Sequence, residues 1–191
     1  MATRKQARRQ TLLQVLALII GAIIIVVAAV VFQSWVNSRP GTEPRDLHIT
    51  ASVGEQSIEV SPYLVCEPGT ECPEGDIPNL EVGKNDTLVI ELPADISRHQ
   101  WQILSIYDDP GANNETLHGP GDTSRVEIPG SVAPIEASTG ETPHLMLVEV
   151  SAVLVGHDAA GVETPFSTVF SLTTMSPEEL AATDASSSGS N

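Results

Sequence analysis

Two cysteines, Cys66 and Cys72, carry the clearest chemistry in this sequence. The five residues between them include Pro68-Gly69, which favours a turn that brings the two sulfur atoms together. In an oxidising compartment, such a pair forms a disulfide by default. A redox pair would use a C-x₂-C spacing on a thioredoxin-like unit, and a zinc site would need about four ligands. The sequence therefore predicts a structural disulfide between Cys66 and Cys72.

The remaining groups that could do chemistry are scattered. The five histidines form no i, i+2 or i, i+4 pair and no H-E-x-x-H motif; they are His48, His99, His118, His144 and His157. The oxygen-rich residues 108–115 do not match an EF-hand loop, so a solvated turn is expected rather than a weak calcium site. Nucleophile and nucleotide-binding motifs are absent from the sequence. We therefore predict no catalytic residue, no metal ligand and no cofactor.

The net charge of the chain limits the classes of molecule that it can bind. The chain has nine Lys and Arg against 25 Asp and Glu, and six of the nine basic residues lie at or before Arg45. From residue 46 to the end, three basic residues face 24 acidic ones. Nucleic acid is excluded as a partner, because its phosphates require clustered Lys and Arg. A field of this sign favours a basic protein, a basic peptide or a cation.

A membrane anchor is predicted at the amino end. Residues 12–32 read LLQVLALIIGAIIIVVAAVVF and contain no charge. A helix of that length, at about 1.5 Å per residue, matches a hydrocarbon core of about 30 Å. Four basic residues precede the apolar run, so the amino terminus is expected in the cytoplasm and the rest outside; they are Arg4, Lys5, Arg8 and Arg9.

The predicted organisation follows from that anchor. Residues 1–11 are a cytoplasmic basic segment, 12–36 a single-pass transmembrane helix in the plasma membrane, and 37–46 a Pro-rich and Gly-containing linker. Ten linker residues span at most about 35 Å, which keeps the body close to the membrane. A cleaved signal peptide is the alternative, although its apolar region is usually about 7–15 residues long. The low-complexity tail at 176–191 is expected to be disordered.

The body, residues 47–175, has the alternation of an all-β domain. Apolar and polar residues alternate on both sides of Gly54-Glu55, which predicts a hairpin. Two runs, at 101–107 and 145–154, are apolar on both faces and are predicted to be central strands. In the second run one unbroken apolar face is expected; it comprises Met146, Val148, Val150, Ala152 and Leu154. Seven or eight strands predict an antiparallel, immunoglobulin-like β-sandwich ectodomain with Trp101 as its largest core side chain.

The order of these landmarks resembles that of an actinobacterial family of exported envelope proteins, domain of unknown function 2771. The resembling features are a hairpin closed by Val60-Ser61-Pro62, the cysteine loop, the strand Trp101-Gln102-Ile103 and the late strand Leu147-Val148-Glu149-Val150. The resemblance implies attachment to the outer face of the plasma membrane, often as a lipoprotein. This chain lacks a lipobox cysteine and has an apolar helix instead. The family brings no established activity, so no catalytic residue is carried over.

The sequence thus predicts a non-catalytic binding or envelope-support module that is held to the membrane by its N-terminal helix. The alternative is an unrecognised extracytoplasmic hydrolase that uses scattered carboxylates. Sequence spacing does not test that alternative, because the separation that matters between two carboxylates is spatial. A calcium-stabilised module is a third, weaker hypothesis.

Overall fold

The structure is a computed structural model that describes residues 4–37, 42–67, 69–134 and 142–176. Within the first helix, the described side chains are those of residues 14 and 18–33. The chain divides into two compact units, Met1–Gly41 and Thr42–Asn191. Of the predicted tail, all but Ser176 lies outside the described residues, as do residues 38–41 of the predicted linker.

The first unit contains one long helix, α1 (Arg4–Asn37), which includes the whole apolar run. Its large apolar side chains are exposed along the described stretch; they are Leu18, Ile19, Ile20, Ile23, Ile24, Ile25, Val26, Val27, Val30, Val31 and Phe32. Among the residues that the structure describes, no helix combines the length and the apolar character that crossing a membrane requires. The transmembrane span therefore stays a prediction from the sequence.

The second unit is built from antiparallel strands that form two sheets. In chain order, the strands are β1 (Ile49–Val53), β2 (Gln56–Val60), β3 (Leu64–Cys66), β4 (Thr87–Glu91), β5 (Trp101–Tyr107), β6 (Asn114–His118), β7 (Arg125–Pro129), β8 (Leu145–His157) and β9 (Glu163–Thr173). One sheet has the order β2-β1-β4-β7 and the other the order β3-β9-β8-β5-β6. The predicted all-β body is therefore confirmed.

Alternation along the strands explains how the two sheets share a core. On β5, every second residue from Trp101 to Tyr107 is buried, while the residues between them are half-buried. Both sheets contribute to one apolar cluster, which joins Ile49 and Ile90 of the first sheet to Val150 and Phe170 of the second. The Tyr107 hydroxyl also donates a hydrogen bond to the carbonyl of Pro129, 3.0 Å away on the other sheet. These contacts make the body a two-layer sandwich.

The predicted hairpin is present, since Val53 pairs with Gln56 across a turn in which Gly54 has a φ of +58°.

The predicted apolar face of β8 is wrong at one residue, Met146. The β5–β8 register shifts at Tyr107, which pairs with Leu145, whereas Ile106 pairs with Leu147. Met146 is therefore skipped, and Leu145 takes the buried position in its place.

Short elements complete the second unit. A helical turn, α2 (Ala94–Ser97), follows β4, and a 3₁₀ turn at Pro110–Ala112 leads into β6. Another 3₁₀ turn, Pro44–Asp46, precedes β1, and its Pro44 is buried. Residues 42–46, which the sequence assigns to the linker, thus fold with the body.

Candidate functional site

The cysteine loop lies at one edge of the five-stranded sheet. Cys66 ends β3, where it pairs with Ser167 of β9, and it is joined to Cys72 by a disulfide with a Cα–Cα separation of 5.5 Å. A turn closes the loop, because the N–H and the hydroxyl of Thr70 both donate to the carbonyl of Glu67, at 3.1 and 2.9 Å. The predicted disulfide is therefore present, and it fixes the chain that follows the edge strand.

A second feature, which we call the Glu43–His157 clasp, holds residues 42–46 against the end of β8. One oxygen of Glu43 accepts the backbone N–H of His157 at 3.1 Å, and the other lies 2.7 Å from the ring Nδ1 of His157. Gly156 permits this approach, because a Cβ there would lie 2.6 Å from the Pro44 ring and 2.8 Å from the Glu43 carboxylate. The clasp joins residues 114 positions apart in the chain.

The clasp shifts the pKa of both partners in the directions that favour an ion pair. Its hydrogen bond to Glu43 raises the pKa of His157 above the ordinary value of 6.5, and the nearby carboxylates of Asp158 and Glu163 raise it further. The hydrogen bonds from His157 lower the pKa of Glu43 below its ordinary value of 4.5. Both side chains are partly exposed, so solvent screens their attraction.

We expect the clasp to contribute most to stability between about pH 4.5 and 6.5. The contribution of His157 is full below its unfolded pKa and is lost as the pH rises through its raised pKa. The contribution of Glu43 is full above its unfolded pKa and is lost as the pH falls through its lowered pKa. The Glu43→Gln substitution should lower the pKa of His157, which an NMR titration of the imidazole carbon-bound protons measures. The other histidines serve as internal controls, and an unchanged titration of His157 would contradict the clasp.

Two adjoining hollows open beside the clasp. The larger, of about 280 Å³, is lined by Glu43, Pro44, Arg45, Asp46, Val65, His157 and Phe166. The smaller, of about 190 Å³, is lined by Arg45, Pro62, Tyr63, Val65, Pro73, Glu74 and Gly75. Arg45 and Val65 line both hollows. The two hollows therefore adjoin each other between residues 42–46, strand β3 and the chain that follows the disulfide, and we call them together the groove.

The groove combines an apolar floor with charged walls. Val65 and Phe166 supply apolar surface, and a hydrogen bond to Glu74 raises the pKa of the Tyr63 phenol, which donates it. The lining residues include a histidine-carboxylate pair but no serine, threonine or cysteine that could act as a nucleophile beside it.

The other sequence candidates are not brought together. His48 lies 3.2 Å from the Ser61 hydroxyl, His118 stacks on Trp101, and the buried His144 ring lies 2.7 Å from the carbonyl of Val82. In the part of the chain that the structure describes, no three His, Cys, Asp or Glu side chains are placed to hold a metal ion.

Residues 108–113 of the oxygen-rich segment form the β5–β6 connection, whereas Asn114 and Glu115 begin β6. Side-chain oxygens of the connection accept hydrogen bonds from nearby backbone N–H groups. Asp109 accepts the N–H of Gly111 at 2.9 Å, and Asn113 accepts the N–H of Tyr107 at 2.8 Å. These bonds agree with the solvated turn that the sequence predicts.

Two of the four Lys and Arg residues of the body form local ion pairs. Arg98 pairs with Asp95 at 2.7 Å, and Arg125 pairs with Glu91 at 2.6 Å and Glu127 at 3.3 Å. The pairs leave a large excess of carboxylates on the body, since residues 42–176 contain 22 acidic residues against four Lys and Arg. A partner of the body therefore meets a surface with an excess of negative charge, and it meets the groove.

Comparison with known protein families shows to which family the chain belongs. A family model described as "Protein of unknown function (DUF2771)" matches residues 42–175, which is well over half of the chain. The chain belongs to the DUF2771 family. The resemblance drawn from the sequence is thereby confirmed. The DUF2771 match begins at the first residue of the second unit, so it includes the clasp, the disulfide and both hollows.

Relatives of this DUF2771 chain are uncharacterised proteins of Mycobacterium bovis and of the Mycobacterium tuberculosis strains CDC 1551 and H37Rv. Each is 29% identical to it over 102 residues, which cover 50% of this chain and 60% of the relative. The chain thus spans less than two thirds of the length of these relatives. No solved structure matches it.

The clasp and the groove are the features that sequence reasoning misses. Glu43 reads as part of a linker and His157 as one of five isolated histidines. Nothing local in the sequence signals their pairing, because the pair depends on where β8 ends relative to the chain before β1. The cysteine spacing is the one local signal that points to this region.

Proposed function

We propose that the chain is a membrane-anchored, extracytoplasmic binding module without catalytic activity, and that it recognises a basic protein or peptide in the cell envelope. Its body is an acidic sandwich of immunoglobulin-like type. The N-terminal helix holds that body at the outer face of the plasma membrane. The hydrolase alternative rests on the sequence alone.

The observation that carries this proposal is the charge of the body. Of its four cations, Arg98 and Arg125 already pair with carboxylates, and the acidic residues outnumber the cations more than fivefold. A surface of one sign raises the local concentration of partners of the opposite sign. A Lys- or Arg-rich segment therefore gains from approach to this body, whereas a nucleic acid or an anionic polymer is repelled.

The exposed side chains of α1 support the anchor. Large aliphatic residues point outward on consecutive positions such as Ile23, Ile24 and Ile25, so the apolar surface surrounds the helix rather than forming one stripe. A helix of this kind needs an apolar environment on all sides, and a bilayer supplies one. The basic residues before the run favour an inward amino terminus.

Binding to a short oligolysine tests the recognition of basic partners. The full chain, held in bilayer discs of phosphatidylcholine, should bind the peptide by calorimetry at low salt. Its affinity should fall about tenfold or more between about 50 and 300 mM salt, because ions screen exposed charges. Oligoglutamate is the matched control and should not bind. An oligolysine affinity that ignores salt would show that charge is not the recognition principle.

Protease treatment of intact cells tests the proposed topology. A tag at the carboxyl terminus should be removed from intact cells, whereas a tag at the amino terminus should be protected until the membrane is permeabilised. The reverse pattern would place the acidic body in the cytoplasm and remove the proposed envelope partner. Recovery of the chain in the soluble fraction would show that α1 is not an anchor.

A further inference from the structure

The outer face of the five-stranded sheet has the residue pattern of a covered surface, but this chain covers only part of it: Ser171 is 1% exposed, whereas several aliphatic positions are open. We define the outer face as the alternate positions of β3, β9, β8, β5 and β6 that point away from the core. It carries eight aliphatic side chains: Leu64, Leu104, Ile106, Leu117, Leu147, Val153, Val155 and Val169. Three of them are mostly exposed, namely Leu117 (61%), Val153 (62%) and Val155 (61%).

Charge is scarce on the outer face of an otherwise acidic body. Its paired positions include no Lys or Arg and only three acids, one each on β6, β8 and β9, so that Glu149 lies within the aliphatic part of the face, next to Leu104. Glu115 lies on the edge strand β6, Glu149 faces Ser171 and Glu163 ends the sheet beside His157. None of the three is part of an ion pair within the described ranges. Few charges together with exposed aliphatic side chains are typical of a protein-protein interface.

The centre of the face also has a place for a side chain. A hollow of about 170 Å³ is lined in part by Gln102, Leu117, Ser151, Val153 and Ser167. These residues come from four adjacent strands, since Leu117 pairs with Gln102, Gln102 with Ser151, and Val153 with Ser167. A side chain inserted there would contact Leu117 and Val153 with its aliphatic part and the polar groups of Gln102, Ser151 and Ser167 with its polar end.

We propose that the outer face docks an amphipathic basic segment of a partner protein, whose aliphatic side chains pack on Leu117, Val153 and Val155 and whose Lys or Arg side chains meet the three acids. The inference rests on the proposed function and names the surface and the partner chemistry. A second copy of this chain fits less well, because its own outer face has no Lys or Arg to offer to the three acids. A lipid surface with anionic headgroups would be repelled by these acids.

The experiment compares two peptides that have the same number of lysines, an amphipathic helix of Leu and Lys and a plain oligolysine. The full chain is again held in phosphatidylcholine discs, and the binding of empty discs is subtracted. The Leu and Lys peptide should bind at least about tenfold more tightly than oligolysine, because burial of its leucines adds to the charge attraction. The double substitution Val153→Ser and Val155→Ser should remove that advantage and leave oligolysine binding unchanged.

Val162→Ser is the matched control, because it removes the same group at a similar exposure, 58%, in the turn beyond the paired strands. It should keep the full preference for the Leu and Lys peptide. Equal binding of the two peptides, or an equal loss in Val162→Ser, would overturn this docking surface while the basic partner stands. Absence of binding to both peptides would overturn the proposed function itself. Dimerisation of the wild type that the double substitution abolishes would assign the face to a second copy instead.

Discussion

The Trp101→Ala substitution should lower the free energy of unfolding of the body by about 3–5 kcal/mol, the range for removing a buried aromatic side chain. Trp101 is 1% exposed and is the largest fully buried side chain in the part of the chain that the structure describes. It lies on β5 between β8 and β6, and its ring stacks on that of His118 with a centroid distance of 4.2 Å. Removal of this side chain leaves a cavity between three strands, and the hydrogen bonds that pair these strands keep them from closing it.

Trp101→Phe is the control for this substitution, because it keeps an aromatic ring in the space that alanine leaves empty. The indole N–H of Trp101 is buried and has no hydrogen-bond partner among the described residues. Phenylalanine therefore gives up no hydrogen bond and should cost clearly less than alanine. Urea unfolding of the full chain, followed by far-UV circular dichroism, measures both variants. A cost for Trp101→Ala of under about 1 kcal/mol would show that this side chain is not a core residue.

The strands of the core could be predicted because they bury alternate residues. On β8, Val148, Val150, Ala152 and Leu154 repeat every second position, and each is buried as the period requires. The same argument places Trp101 and Ile103 on one face of β5. These positions are set by local geometry, so the sequence contains the information.

Where the register is irregular, alternation alone fails. The shift at Tyr107 moves Leu145 onto the buried face and leaves Met146 half-buried, although both are apolar and either fits the pattern. Strand β6 is also missed, because its residues Asn114 to His118 read as polar and turn-like. Its place at the sheet edge depends on pairing with β5, which no residue of β6 reveals by itself.

The apolar runs of β5 and β8 correctly predicted that both strands lie inside a sheet, but the assumption that both of their faces are covered holds for one face only. Such runs are expected in strands that are covered on both faces. The sandwich covers one face of each strand, and residues such as Leu104 and Val153 remain on the other. The sequence pattern of these strands is typical of strands that are covered on both faces, whereas the sandwich covers one. The open part of the outer face is therefore a candidate interface.

Loss of the disulfide should have the second largest effect on stability. The double substitution Cys66→Ala and Cys72→Ala opens a seven-residue loop, and the chain-entropy relation gives a cost of about 2.4 kcal/mol. The cost should be concentrated at the edge of the sheet, because Cys66 ends the three-residue strand β3, which pairs only with β9. Val65 of the same strand lines both hollows, so the substitution should also loosen the groove.

A reductant provides the matched control for the disulfide. Reduced wild type and the double variant should unfold at the same urea concentration, below that of the oxidised wild type, and the double variant should not respond to reductant. The reason is that both treatments remove the same cross-link and leave the core facing Trp101 and Val150 intact. A wild type isolated from the envelope that does not respond to reductant, and whose cysteines react with a thiol reagent, would show that the pair is not oxidised in place. The body would then have to hold its edge strand by pairing with β9 alone, and the case for an oxidising compartment would lose its support.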